Sequence, residues 1–364
     1  MAPAAPSPAT VLYIAGLGRS GSTLLERTFA RLPGAVAVGE VVHMWRRGLV
    51  ENERCGCGEP FRSCPFWTEV GERAYGGWDH LDVERIAELS ESVDRTRYVP
   101  YMVSSRGPRR YLDAVEQLVS VLGPLYPAIA ATAGEQVVID SSKDPSYAYL
   151  LRRAAEVRLE VVQAIRDAPA VAYSWSRRVE RPDADDSLMV QWAPRRTAVL
   201  WAGQNLVTRG LAQRGVRVEI ARYEDFVTDP AGTFSRLVEA LDLPRPGEDD
   251  PLVQGLRDGF IDLGVDHTVS GNPIRFRTGR MQIREDSAWK QGLAPSDRRL
   301  VEAITAPVRW RFGYLPATGP LGRVGVACRR RWAAAHRRGV PPKRWCRHHG
   351  PSRTRCHRPD RSVR

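Results

Sequence analysis

The first apolar run of the chain, Val11–Ala15, breaks at once into Gly-Leu-Gly. A run of that length closed by glycine predicts a buried strand entering a tight loop. Leu24, Leu25, Thr28, Phe29 and Leu32 then recur at helical spacing, so strand, glycine loop and helix follow in order. The same pattern predicts buried strands at Val137–Asp140, Leu159–Ile165 and Val216–Ala221, each with a candidate helix behind it. Strands alternating with helices in this way predict an α/β fold: a P-loop-like, doubly wound parallel sheet flanked by helices.

Punctuation refines the picture. Asp229-Pro230 is a helix start, with aspartate as N-cap and proline at the first helical position, and Phe234, Leu237, Val238 and Leu241 form its inner face. Another helix is expected from Ser296 toward Trp310. Between them, Gly264–Gly292 is mostly polar and reads as a long functional loop. Leu112, Val115, Leu118, Val119 and Leu122 make Tyr111–Leu122 amphipathic, and residues 70–130 read as a helical insertion.

Charge then separates two regions. The chain of 364 residues carries a formal net charge of +12, but residues 321–364 hold 14 Lys and Arg against one acid, Asp360. The body is thus near neutral, and any affinity for nucleic acid or an anionic membrane belongs to the tail, where Trp332 and Trp345 stand among arginines. Rich in proline and poor in apolar residues, that tail is expected to be disordered, leaving residues 1–320 as one domain. No apolar run of membrane-spanning length and no secretion signal is apparent, so a cytoplasmic location is expected.

Six cysteines fall into two groups: Cys55, Cys57 and Cys64 near the front, and Cys328, Cys346 and Cys356 in the tail. The front group suits zinc with a fourth ligand such as His43, one disulfide, or free thiols bracing a loop.

The candidate chemistry begins at Gly16-Leu17-Gly18-Arg19-Ser20-Gly21-Ser22-Thr23, which has P-loop glycine spacing between a strand and a helix. Backbone N–H groups there hold phosphate oxygens. Ser22 stands where a nucleoside-triphosphate site has lysine, and the cation has moved to Arg19. Arginine in the loop can make two hydrogen bonds to a phosphate or sulfuryl oxygen. A glycine turn that merely joins strand to helix is the plainer alternative. A kinase or nucleoside triphosphatase is another, with Asp140 holding magnesium.

Gly18–Thr23 resembles the phosphosulfate loop of the sulfotransferase superfamily, in particular its bacterial carbohydrate and small-molecule members. Arg166 with Ser174 eight residues later resembles that family's 3′-phosphate motif. A helix beginning near Ala168 is expected to present Ser174 toward its N-terminal half, where an anion is welcome. Tyr223 in Ala221–Phe226 matches the tyrosine at the adenine, and Ser270–Arg277, with Arg275, resembles the late loop over the 3′-phosphate. The similarity runs in order from about Val11 to Tyr314 and places the loop through Leu24 at the nucleotide.

The resemblance implies transfer of a sulfuryl group from 3′-phosphoadenosine 5′-phosphosulfate to a hydroxyl or amine of a small-molecule, carbohydrate or lipid acceptor, with no metal required. It aligns Glu40 with the base of the carbohydrate branch, His43 with the histidine of other branches, and Lys143 with a lysine that assists transfer, although Asp144 interrupts that motif. The insertion at 70–130 is expected to cover the acceptor site.

Overall fold

The computed structural model describes residues 8–178 and 190–315. Five parallel strands, β1 (Ala9–Ala15), β2 (Ala35–Gly39), β3 (Val137–Lys143), β4 (Val157–Ile165) and β5 (Arg217–Arg222), form a sheet in the order β2-β3-β1-β4-β5. The chain winds from β3 to β4 across β1, so the order reverses around the central strand. A crevice beyond the carboxyl ends of such strands is the usual place for a ligand. All of this lies in one compact unit, Met1–Arg309; the second, Trp310–Arg364, is described only as far as Leu315. The basic stretch 321–364, with its three cysteines and two tryptophans, lies outside the described residues.

Why these residues pair is visible in β1, which is buried along its whole length with a neighbour on each side. Val11, Tyr13 and Ala15 face one core, and Leu12 and Ile14 face the other. A strand covered on both faces must be apolar at every position, which is why it reads as a run without alternation. The first core holds Trp67, Val70, Leu118, Leu122 and Tyr126, from helices Pro65–Tyr75 and Arg109–Ala133. The second holds Leu25 and Phe29 from helix Ser22–Phe29, with Phe234 and Leu237 from helix Pro230–Ala240.

The helical insertion is present as Pro65–Tyr75, Val83–Val93, Val99–Ser104 and Arg109–Ala133. The last, 25 residues long, is apolar enough to cross a bilayer, yet it buries Leu118, Leu125, Tyr126 and Ile129 in the first core. At Pro230–Ala240 the Asp229 carboxylate accepts from Gly232 N at 2.9 Å, the N-cap bond that its position predicts. The helix expected from Ser296 is Pro295–Arg311.

One strand was not anticipated and one expectation is corrected. Ala35–Gly39 forms β2, the edge strand beside β3, from a run of only four apolar residues closed by glycine. Gly264–Gly292 is not one loop: Gly279–Gln282 forms β7, paired antiparallel with β6 (Phe260–Leu263), and Trp289–Gly292 is a helical turn. Arg280 opposite Asp262 in that pair accounts for the polar appearance of the strand.

The sheet also carries two irregularities that matter below. Between β1 and β3 the register runs Tyr13↔Asp140 and then Ala15↔Lys143, one residue more on β3. Between β2 and β3 it runs Ala37↔Ile139 and then Gly39↔Asp140, one residue more on β2. Bulges bend the strand that carries them and re-aim its side chains. Both lie at carboxyl ends, immediately before Glu40 and at Lys143.

Candidate active site

A cavity of about 610 Å³ opens where the strand ends meet the glycine loop. Gly18, Arg19 and the run Gly21–Leu24 line it. Gly16 explains why the loop can turn there: its φ is +136°, and a Cβ would stand 2.1 Å from the Ala164 carbonyl oxygen of β4. Only glycine tolerates both. Helix Ser22–Phe29 then starts at Gly21 with no side-chain cap, which leaves its first-turn N–H groups to the cavity. Ser20 does not join the wall; it is buried behind the loop, its hydroxyl without a partner among the described residues.

Glu40, His43 and Lys143 line the same cavity. The ammonium group of Lys143 donates to Glu40 Oε1, and His43 Nε2 stands 3.5 Å from Oε2. Burial is the largest influence and acts to raise the Glu40 carboxyl, but the Lys143 charge and hydrogen bond, with His43 and Arg47 beside them, together outweigh it and hold the group below its ordinary value. His43 is pushed down to about 4 by burial, despite the pull of Glu40, and is therefore neutral at neutral pH. His43 also lies at Glu40 rather than with the front cysteines, which rules it out as their fourth ligand.

The third set, Arg166, Ser174 and Tyr223, completes the wall. Arg166 is nearly buried and its guanidinium lies 4.4 Å over the Tyr223 ring. It donates to the Asp286 carbonyl at 2.6 Å and meets the Asp286 carboxylate at 3.1 Å. Tyr223 Oη donates to Arg284 O at 3.1 Å and accepts from Asp286 N at 3.0 Å. Ser174 lies in the last turn of helix Ala168–Ser176, not its N-terminal half, because the helix ends two residues later. The helix dipole there opposes an anion, so any contribution comes from the hydroxyl itself.

Arg275 is not in the wall. It is buried, donates to Thr268 O at 3.1 Å and lies 4.3 Å from the Phe276 ring, so it braces the late loop from behind. Ser270, Gly271, Asn272, Ile274 and Asp286 are the late-loop residues that face the cavity. Asp140 also stays out: it is fully buried, accepting from Tyr126 Oη and Ser142 Oγ at 2.5 Å each, and burial raises it to about 6. A carboxylate so enclosed cannot serve as the magnesium holder of a kinase site.

Sequence reasoning missed an aromatic wall. The indoles of Trp175 and Trp192 stack with centroids 3.8 Å apart and planes 9° off parallel. Trp175 Nε1 donates to Gly18 O at 2.9 Å, and Arg19 lies 5.4 Å over its ring. Nothing in the spacing of two tryptophans seventeen positions apart announces this contact. Arg47, which also lines the cavity and donates to Ser270 Oγ at 2.8 Å, was equally silent. None of the helices between 65 and 133 lines the cavity.

Backbone strain gathers here. Among the described non-glycine residues with left-handed φ, Arg19 (74°), Lys143 (71°) and Ser270 (52°) all line the cavity. Such conformations cost roughly 1–3 kcal/mol each and persist where surrounding structure enforces them.

The sulfotransferase family profile matches residues 12–247, about two thirds of the chain. No curated protein matches the sequence. Similar solved structures include the sulfotransferase domain from the curacin biosynthetic pathway, at 18% identity and a TM-score of 0.44 over 84% of this chain and 98% of that one. The sulfotransferase domain of the Synechococcus PCC 7002 olefin synthase stands at 20% identity and a TM-score of 0.42, with the same coverage of 84% and 98%. Sulfotransferase STF9 from Mycobacterium avium stands at 14% and 0.40, over 84% of this chain and 77% of that one.

Proposed function

The chain belongs to the sulfotransferase family and is a sulfotransferase; from that premise we propose that its donor is 3′-phosphoadenosine 5′-phosphosulfate and that Glu40 is the general base. The observation that carries this reading is the Glu40–Lys143 pair, set by two sheet bulges beside an uncapped glycine loop.

The residues fit the donor. The loop offers first-turn N–H groups and the Arg19 guanidinium to the phosphosulfate. Arg166 already holds a carboxylate and a carbonyl oxygen, the kind of partner that a 3′-phosphate would replace. Tyr223, whose ring lies under Arg166, would flank the adenine.

Transfer then needs little from the protein beyond a proton acceptor, a positive field and dryness. The acceptor hydroxyl or amine gives its proton to a Glu40 oxygen as its heteroatom bonds to sulfur. The bond from sulfur to the bridging phosphate oxygen breaks, and 3′-phosphoadenosine 5′-phosphate leaves with the electron pair. Lys143 and Arg19 stabilise charge on that oxygen. When Lys143 turns from Glu40 to the donor, Glu40 loses the charge that depressed it while its burial remains, so it becomes a stronger base at the moment it is needed. The Trp175–Trp192 stack, with Arg19 and Arg196 over its two rings, gives the acceptor side of the cavity an aromatic edge against which a ring-bearing acceptor can pack.

The test is calorimetric binding of 3′-phosphoadenosine 5′-phosphate without metal, against ATP with magnesium. Wild type should bind the bisphosphate, and an Arg166→Ala, Ser174→Ala double variant should lose at least ~100-fold in affinity. Preference for ATP with magnesium would overturn the donor assignment.

A further inference from the structure

Cys55, Cys57, Cys64 and His267 converge on one point although His267 lies more than two hundred positions from Cys64. Their ligand atoms all lie within 4.8 Å of one another. His267 Nδ1 stands 3.3 Å from Cys64 Sγ and 3.8 Å from Cys55 Sγ, and the Cys57 and Cys64 sulfurs are 3.7 Å apart. A tetrahedron with metal–sulfur bonds of about 2.3 Å and metal–nitrogen bonds of about 2.0 Å has edges of roughly 3.5–3.8 Å. All four ligand atoms fall within 4.8 Å of one another, and the three separations, from 3.3 to 3.8 Å, lie at or close to that range. They are far longer than the bond of about 2.0 Å in a disulfide, and three sulfurs around one imidazole would leave a thiol over in any pairing.

The surroundings are built to hold this arrangement. Cys55 and Cys64 are fully buried, and the Phe66 ring stacks on the His267 imidazole at 4.7 Å and 7°. Trp67 Nε1 donates to His267 O at 3.0 Å, and Gly56 N donates to Thr268 O at 2.9 Å. A Cβ on Gly56 would stand 2.5 Å from Asp266 O, so the hairpin of Cys55–Gly58 closes on the late loop only because that position is glycine.

We propose that Cys55, Cys57, Cys64 and His267 form a closed, structural zinc site that pins the late loop behind Glu40. Three thiolates and one imidazole in tetrahedral array select zinc, and four protein ligands leave no open position for chemistry. The pinned segment runs directly into the active-site wall. Val269 N donates to Val38 O and Glu40 N donates to Val269 O, each at 2.8 Å. Ser270 accepts from Arg47, and Asp266 holds Arg27 and Arg31 of the glycine-loop helix and its C-terminal turn. Zinc is thus a positioning element for transfer, not a participant.

The test is elemental analysis of the full chain purified under reducing conditions without chelator, together with the spectrum of its cobalt-exchanged form. The expected result is one zinc per chain, with cobalt giving thiolate charge-transfer bands and the intense visible bands of a tetrahedral site. Cys64→Ser and His267→Asn should each weaken retention at least ~10-fold. The tail variant Cys328→Ser, Cys346→Ser, Cys356→Ser should keep the metal, which separates this site from the second cysteine group. Should the site variants fail to fold, the wild-type cobalt spectrum still decides. Absence of stoichiometric zinc, a cobalt spectrum without thiolate bands, a Cys57–Cys64 disulfide in peptide mapping, or loss of metal in the tail variant would each overturn the proposal.

Discussion

The two walls of the cavity are made in different ways. One consists of residues leaving the carboxyl ends of parallel strands: the glycine loop after β1, Glu40 after β2, Lys143 in β3 and Arg166 after β4. Each is fixed by backbone pairing within the sheet. The other is the stretch from Asp266 to Asp286, which meets the sheet's backbone at the single bridge of Val269 to Gly39 and is otherwise tied mainly by side chains: Asp266 to Arg27, His267 against cysteines, Ser270 to Arg47, and Asp286 to Arg166. A sheet-borne wall keeps its groups in place through many hydrogen bonds at once, whereas a side-chain-borne wall depends on a few pairs that single substitutions can remove. Chemistry is therefore expected on the first wall and adjustment of affinity on the second.

The largest effect that would break this contrast concerns Glu40. Glu40→Gln should lower the rate of sulfuryl transfer by ~10²–10⁴-fold while binding of 3′-phosphoadenosine 5′-phosphate is preserved. Because Lys143 holds the Glu40 carboxyl below its ordinary value of 4.5, the acid limb of kcat/KM in wild type should fall below pH 4.5 and persist in His43→Gln. Disappearance of that limb in His43→Gln would transfer the role to histidine, whose imidazole is itself pushed down to about 4.

A smaller effect probes the foundation of the same wall. Glu26, in the helix after the glycine loop, is buried, accepts from Ser141 Oγ at 2.8 Å and is pushed by burial up to about 7. Between its unfolded value near 4.5 and about 7 the folded chain binds the extra proton. Its contribution to stability is thus complete below pH 4.5 and declines as pH rises to 7. Glu26→Gln should stabilise the chain by about 1–3 kcal/mol at pH 8 and by much less at pH 4.5 in denaturant unfolding. An equal gain at both pH values would show that its carboxyl does not titrate as its burial requires.

The smallest effect belongs to the second wall. The Asp286 carboxylate is half exposed, so its pair with Arg166 is weak, and its removal leaves the guanidinium bonded to that residue's backbone carbonyl without a competing negative charge. Asp286→Ala should tighten binding of 3′-phosphoadenosine 5′-phosphate by roughly 2- to 5-fold with no loss of turnover. A drop in turnover comparable to that of Glu40→Gln would erase the distinction between the walls.

The same contrast decided what the sequence could reveal. Val11–Ala15, the glycine loop, Arg166 after its strand and the Asp229 cap are local signals, each written in a dozen consecutive residues. β2 escaped because Ala35–Gly39 is short and small, and it is defined by pairing with β3 a hundred positions away. The second wall was misread at Arg275 and overlooked at Asp286 because Ser270–Arg277 and Arg284–Asp286 carry polar residues without any period, and only packing turns Arg275 inward and leaves Asp286 at the cavity. His267 and the indole stack are products of distance closed in space, with no pattern along the chain to mark them.

The left-handed backbones of Arg19 and Lys143 also bear on how this enzyme can change. Glycine at either position would relax the main chain and remove the cation, so a variant library selected for heat resistance alone should accumulate those replacements and lose transfer. Stability and turnover pull in opposite directions at these two residues, and stabilising substitutions are better sought in the helices between 65 and 133, which keep clear of the cavity.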